Sequence, residues 1–227
     1  MEGYLSGERD YNNIRGDTGP LVYPAGFLYL YSCLRKLAGG DGSNILTAQC
    51  IFVALYLANA AVVLSLYTTA LRCKRLCSLY SDSTEKRSLA AAHLTWSWRF
   101  AMGLTCLSKR VHSIFFLRLF NDGPAMLLFY ISAWLLVRSK WRLGCFAYSC
   151  AVSIKMNVLL FAPGLLLLLL QSQPNLHATV NCLAICASVQ IILGTPFLRT
   201  FPLSYFGKAF ELDRVFFYKW TVNWKVR

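Results

Sequence analysis

The sequence predicts an all-α, polytopic transmembrane helical protein, and three observations carry that fold class. Residues 42–71 contain no charged side chain, thirty in a row. About twenty apolar residues cross a bilayer core, so this run is long enough for a helical span. Lys155 is the only Lys, Arg, Asp or Glu between Leu143 and Leu198. The chain is 56% hydrophobic and 15% charged over 227 residues. Its apolar residues come in long blocks, unlike the short periodic patterns of a soluble core.

Composition excludes several functions. The net charge is +13, which would suit nucleic acid. The bases, however, are scattered between hydrophobic spans and form no patch on a polar domain, so no nucleic-acid partner is expected. Loops enriched in Lys and Arg on the cytosolic side explain much of the excess. Nine cysteines include no Cys-x-x-Cys; the closest spacings are Cys73/Cys77 and Cys182/Cys186, and the histidines are His93, His112 and His177. Cys182 and Cys186 fall on an apolar helix, where free cysteine acts as a small hydrophobe. No metal site is expected. Met1 to Arg15 is polar and lacks the apolar core of a signal peptide. The first hydrophobic segment would have to translocate that tail unaided, so loss of an upstream span is the expected explanation.

Taken in order, residues 1–18 are polar and end in turn chemistry at Gly16-Asp17-Thr18-Gly19-Pro20. Leu21 to Leu37 is amphipathic and rich in tyrosine (Tyr23, Tyr29, Tyr31), which predicts a helix at the membrane surface, with a short span as the alternative. Residues 45–71 form the first clear span, followed by Arg72, Lys74 and Arg75 on the cytosolic side. Residues 76–99 read as a polar cytosolic loop. Residues 100–120 return to the lumen, and Gly123 to Val137 crosses back to Arg138, Lys140 and Arg142. Those fifteen residues cover only about 22 Å, so this helix borrows flanking residues or spans thin membrane. Residues 143–170 allow two readings: one long helix with Lys155 inside, or two short ones meeting near Met156 to Pro163. Pro163 and Gly164 favour a break, which is tolerated where it lines a cavity. Residues 178–198 form a clean span, and 199–227 are aromatic and basic. Two short helices put that tail in the lumen and one long helix in the cytosol, which its charge prefers.

An unpaired ammonium at membrane depth costs about 2.5–3.5 kcal/mol on insertion scales, so Lys155 marks a functional site by default. Arg110, His112 and Arg118 face the lumen with it in the two-helix reading. Together they suit a ligand both lipidic and anionic, a lipid phosphate held by charge-assisted bonds. The bland alternative is snorkelling of the arginines to headgroups. Asn121 and Asp122, before Gly123-Pro124, equally suit a helix N-cap, and Asp17 a turn. Glycosyl transfer from a lipid phosphate needs a carboxylate for the acceptor proton and cations for the leaving phosphate. The carboxylates expected in the lumen are few: Asp10, Asp17, Asp122, Glu211 and Asp213.

Five blocks, in order, then resemble one family. They are Gly16-Asp17-Thr18-Gly19-Pro20-Leu21-Val22-Tyr23-Pro24-Ala25-Gly26-Phe27, Arg110-Val111-His112-Ser113-Ile114-Phe115, Leu117-Arg118-Leu119-Phe120-Asn121-Asp122, Lys155-Met156-Asn157-Val158 through Pro163-Gly164, and Trp220-Thr221-Val222-Asn223-Trp224. Together they are similar to the dolichyl-phosphate-mannose-dependent α-1,3-mannosyltransferases of the endoplasmic reticulum. Residues 76–99 do not match that pattern and read as an insertion or a retained intronic stretch.

The resemblance implies a multi-pass endoplasmic reticulum membrane protein with a GT-C-like glycosyltransferase fold. It implies an inverting reaction without metal or cofactor, in which dolichyl-phosphate mannose is donor and the five-mannose dolichyl-diphosphate oligosaccharide is acceptor, amid membrane lipids. Residues 1–44 would be a lumenal loop with an interfacial helix, 45–198 the transmembrane region, and 199–227 a lumenal loop, against the charge argument. Substrate contacts are expected from Arg110, His112, Arg118, Asn121, Lys155, Asn157, Trp220 and Asn223. Asp213 and Arg214 join them, although a local ion pair also explains that couple. The family's base is the aspartate of an Asp-Trp motif upstream of the region matching Met1 to Tyr11, and further helices follow Lys225 in its members. A chain truncated at both ends and inactive alone is therefore expected, with Asp17 and Asp122 as substitute bases. The rival is a non-catalytic membrane isoform or a lipid- or anion-binding subunit.

Overall fold

The computed structural model describes residues 2–16, 19–40, 43–72, 100, 103–104 and 107–210. Asp17, residues 76–99, Asp213, Arg214, Trp220 and Asn223 lie outside the described residues, as does the side chain of Arg110. The described chain is helical apart from one two-residue antiparallel ladder, β1 (Arg15–Gly16) with β2 (Gly19–Pro20).

A short α1 (Glu2–Leu5) precedes the ladder, and α2 (Ala25–Leu37) follows it. The helix expected from Leu21 begins four residues later, because Pro24 is extended (φ −61°, ψ 167°) and serves as the N-cap. Proline has no N–H to give and its ring disfavours a preceding helical residue, so it starts this helix instead of interrupting it. Next, α3 (Ile45–Arg72) is the long apolar helix expected there. A single span over 100–120 is not what the described part of that region forms. Helix α4 (Lys109–His112) runs into a π-helical turn, Ser113–Leu117, and Leu119 has φ 52°, which ends the helix. Ser108, Lys109, Arg110, His112, Ser113 and Arg118 divide the region, and the apolar run Ile114 to Leu117 between them is far too short to cross.

Four helices then form a bundle: α5 (Asp122–Val137), α6 (Trp141–Ile154), α7 (Ala162–Ser172) and α8 (Leu176–Leu198). Of the two readings of 143–170, the broken one is present. The break falls at Lys155, which is extended (φ −146°, ψ 118°), and a 3₁₀ turn Met156–Phe161 leads into α7. Pro163 lies in the first turn of α7, where its missing N–H costs nothing. Finally α9 (Pro202–Ala209) folds back across the end of α8.

Two clusters hold these pieces together. Cys145, Tyr148, Ala151, Val152, Val158, Leu165, Leu169 and Cys182 join α6, α7 and α8. Gly144 lets α6 approach α5 closely, since a Cβ there would stand 2.7 Å from Leu136 Cδ2. Close approach through small residues is how helices pack where lipid supplies no hydrophobic drive. The second cluster, Tyr11, Ile14, Ala25, Leu28, Phe197, Tyr205 and Ala209, ties the N-terminal segment and α2 to the end of α8 and to α9. Residues 2–16, α2 and α9 therefore meet at one end of the bundle.

Two helices, Ile45–Thr69 and Leu176–Leu198, are long and apolar enough to cross a membrane. Outward faces carry bare apolar side chains, among them Leu160, Leu167, Ile191 and Ile192. Such a surface is a liability in water and ordinary against lipid tails.

Candidate functional site

The polar residues of 109–122 and the break at Lys155 are brought to the same end by opposite runs of α5 and α6. Asp122 is the first residue of α5 and Lys155 the residue after α6. Because α5 and α6 are antiparallel neighbours joined by a tight turn, the start of one meets the end of the other. Lys155 Nζ donates to Asp122 Oδ1 at 2.5 Å, with 21% of the lysine and 28% of the aspartate side chain exposed. The lone ammonium expected from sequence is therefore paired. Asp122 also does more than cap: Asn121 is the residue at the N-cap position, and its side chain makes no capping bond.

The surroundings hold that pair in place. Gly26 of α2 lies against Ser153, two residues before Lys155; a Cβ at Gly26 would stand 2.8 Å from Ser153 Cβ. On the other side, Tyr31 donates to the carbonyl of Leu119 at 2.6 Å and so fixes the left-handed residue just before Asn121-Asp122. Burial raises the Tyr31 phenol well above its ordinary value, with the charges of Tyr23 and then Asp122 adding to it. Tyr31 thus stays a neutral donor at any physiological pH.

The other expected residues are placed as follows. Asn121 is 3% exposed, and its Nδ2 has no partner among the described residues. A buried donor left unpaired is costly and is often kept for function. His112 Nε2 lies 3.0 Å from Tyr56 Oη on α3, with the rings edge to face. Arg118 and Asn157 are exposed. Among the described side chains, the pair Asp122–Lys155 is the direct contact between expected site residues. Sequence reasoning missed Gly26, Tyr31, Tyr56 and Ser153. From sequence Tyr31 reads only as an interfacial residue, and a glycine in an amphipathic helix carries no signal of its contact.

Arginine, ammonium and imidazole near one membrane-facing end, with a carboxylate steadying the ammonium, can bind a phosphate and stabilise it as it leaves. Among the described residues no cluster of three or more His, Cys, Asp or Glu could hold a metal.

A family model described as ALG3 protein matches residues 1–226. The chain is 48% identical over 225 residues to an Arabidopsis thaliana protein named Dol-P-Man:Man(5)GlcNAc(2)-PP-Dol alpha-1,3-mannosyltransferase, covering 99% of this chain and 45% of that one. A Dictyostelium discoideum protein named as a probable enzyme of the same title is 44% identical over 232 residues, covering 99% of this chain and 51% of its own. A Mus musculus protein of the same name is 43% identical over 225 residues, covering 99% and 46%. The chain spans about half the length of these curated relatives. No solved structure matches it.

Proposed function

The chain belongs to the ALG3 protein family, and on that premise we propose that it acts in α-1,3-mannosyl transfer from dolichyl-phosphate mannose to the five-mannose dolichyl-diphosphate oligosaccharide. The reaction takes place in the endoplasmic reticulum membrane, on a GT-C-like helical scaffold. The observation that carries this reading is the site itself: Lys155, held by Asp122, at a helix break beside the polar run 109–122. The names of relatives matching nearly the whole chain support it and favour it over a non-catalytic isoform.

In this mechanism an acceptor hydroxyl attacks the anomeric carbon of mannose, its proton passing to a carboxylate base, while the bond to the dolichyl phosphate oxygen breaks and the phosphate keeps the bonding pair. Negative charge grows on the departing phosphate, and fixed cations aimed there lower the barrier. Lys155 supplies one charge from a backbone position set by the end of α6. Asp122 is its positioning residue, since Oδ1 is engaged with Nζ. Arg110 and Arg118 offer further contacts to phosphate oxygens, and Arg suits them because its guanidinium binds two at once. His112, steadied by Tyr56, and Asn121 line the approach. Asn157, Asp213, Arg214, Trp220 and Asn223 complete the proposed substrate contacts. Residues 1–44 and 199–227 face the lumen.

The test replaces the matching half of an active relative by residues 1–227, in cells lacking their own enzyme, and profiles the lipid-linked oligosaccharides. The expected product carries six mannoses or more. Persistence of the five-mannose species, with the chimera folded in the membrane, would overturn the proposal. Lys155→Met in the chimera should lower transfer about a hundredfold or more, as for loss of a key charge-stabilising donor, and Lys155→Arg should retain part.

A further inference from the structure

We infer that a second anion site, distinct from Lys155, lies at the opposite end of the bundle and takes the phosphate of a lipid headgroup. A cavity of about 450 Å³ opens between the α5–α6 turn and the α7–α8 turn. Its volume falls within the roughly 300–1,000 Å³ of ordinary ligand pockets. Lys140, Trp141 and Arg142 line one side, and Gln173, His177 and Asn181 the other. The length of α6, 14 residues or about 21 Å, separates it from Lys155.

Exposed bases at helix ends commonly snorkel into headgroups and need no pocket. Three features distinguish this place. First, no carboxylate lines the cavity, and among the described residues neither Lys140 nor Arg142 is in an ion pair. Second, Gln173 lines the cavity, and its Nε2, buried just behind the wall, has no hydrogen-bond partner among the described residues. Third, α6 starts here without a side-chain cap, adding the positive end of a helix to the same space.

Depth decides the kind of phosphate. The cavity opens at the first turn of α8, where a candidate span begins at Leu176, and Trp141 has the amphipathic ring favoured at the headgroup level. Basic pockets between membrane helices at this depth take anionic lipid headgroups. A phosphate monoester fits best, because its charge of up to about two matches the two cations of the lining, Lys140 and Arg142. A soluble phosphate would share that chemistry.

The experiment uses the purified full-length protein carrying this sequence, in detergent, with added short-chain phosphatidic acid, phosphatidylcholine or inorganic phosphate. Thermal shifts and native mass spectrometry report binding. Phosphatidic acid should bind and raise Tm, and phosphatidylcholine should not. The variant K140A/R142A should bind phosphatidic acid about tenfold or more weakly, and Q173L severalfold more weakly. K36A/R199A, which removes two bases from the other end, should bind as the parent does. Competition by millimolar phosphate would make a soluble anion the natural occupant; its failure would make it the lipid. Unchanged binding by K140A/R142A, or equal weakening by K36A/R199A, overturns the site. Should the double variant fail to fold, Q173L decides alone, and unchanged affinity in it is the refuting result.

Discussion

An ammonium within an apolar segment is tolerable only if something answers its charge, and Asp122 answers Lys155 across 33 residues of sequence. The pair is about three-quarters buried, so removing one partner leaves the other desolvated and unmatched. Asp122→Asn should destabilise the protein by about 1.5–3 kcal/mol, the range for hydrogen bonds to charged groups. Lys155→Met should cost a similar amount, and Asp122→Leu/Lys155→Met together less than their sum. Thermal unfolding in detergent gives the double-mutant cycle. Additive losses would mean the two groups are not coupled, and Asp122 would lose its positioning role. The sequence marked both residues, Lys155 by its isolation and Asp122 by its place before Gly123-Pro124. That they touch was not legible, because ion pairing is decided by the antiparallel packing of α5 and α6.

Helix boundaries and helix contacts obey different rules. Boundaries were largely local: α3, α5 and α8 stand where unbroken apolar runs stand, and each is closed by charge or turn residues. Contacts were not. Gly26 packs against Ser153, and no neighbouring residue announces it. Gly26→Ala should cost about 1–3 kcal/mol by overpacking, and Ser153→Gly should restore most of it. A harmless Gly26→Ala, measured by Tm, would show that α2 can slide from α6. At the other junction, Ser204 of α9 donates to Asp10 Oδ1. That bond, and then the backbone N–H of Asn12, holds the Asp10 carboxyl below its ordinary range. A folded value lower than the unfolded one means that the contact contributes fully above the ordinary carboxylate value. Its contribution is lost as pH falls through the lowered value. Amide protection in α9, measured against the intrinsic exchange rate at each pH, should fall on acidification through that window, and Asp10→Asn should remove the dependence. Identical pH profiles in parent and variant would show that another group governs the docking of α9.

At the scale of the whole molecule, the broken helix sets the topology. Because α6 and α7 are separate, α8 finishes at the end of the bundle that carries Lys155, where Phe197 and Tyr205 pack on Tyr11. The N-terminal segment and α9 then lie together at one end of the bundle, which we propose to be the lumenal one. Glycosylation sequons made singly by Arg15→Thr and Pro202→Asn should both be modified in microsomes. His177→Thr, which creates one at the α7–α8 turn, should stay unmodified. Modification of only one of the first two would contradict the shared face.

The sequence by itself determined the helical class, the positions of the long apolar helices, and the presence of charge where charge is expensive. Those depend on local composition and on the length needed to cross a bilayer, which each segment carries alone. Only the tertiary structure decided between one helix and two over 143–170, that 109–117 is a short helix passing into a π-helical turn, and which carboxylate meets Lys155. Pro163-Gly164 favoured two helices meeting near Met156 to Pro163, and the break lies at Lys155 and the 3₁₀ turn Met156–Phe161, where Lys155 reaches Asp122. A contact between distant segments lowers the free energy only once both are packed. No window of sequence contains it.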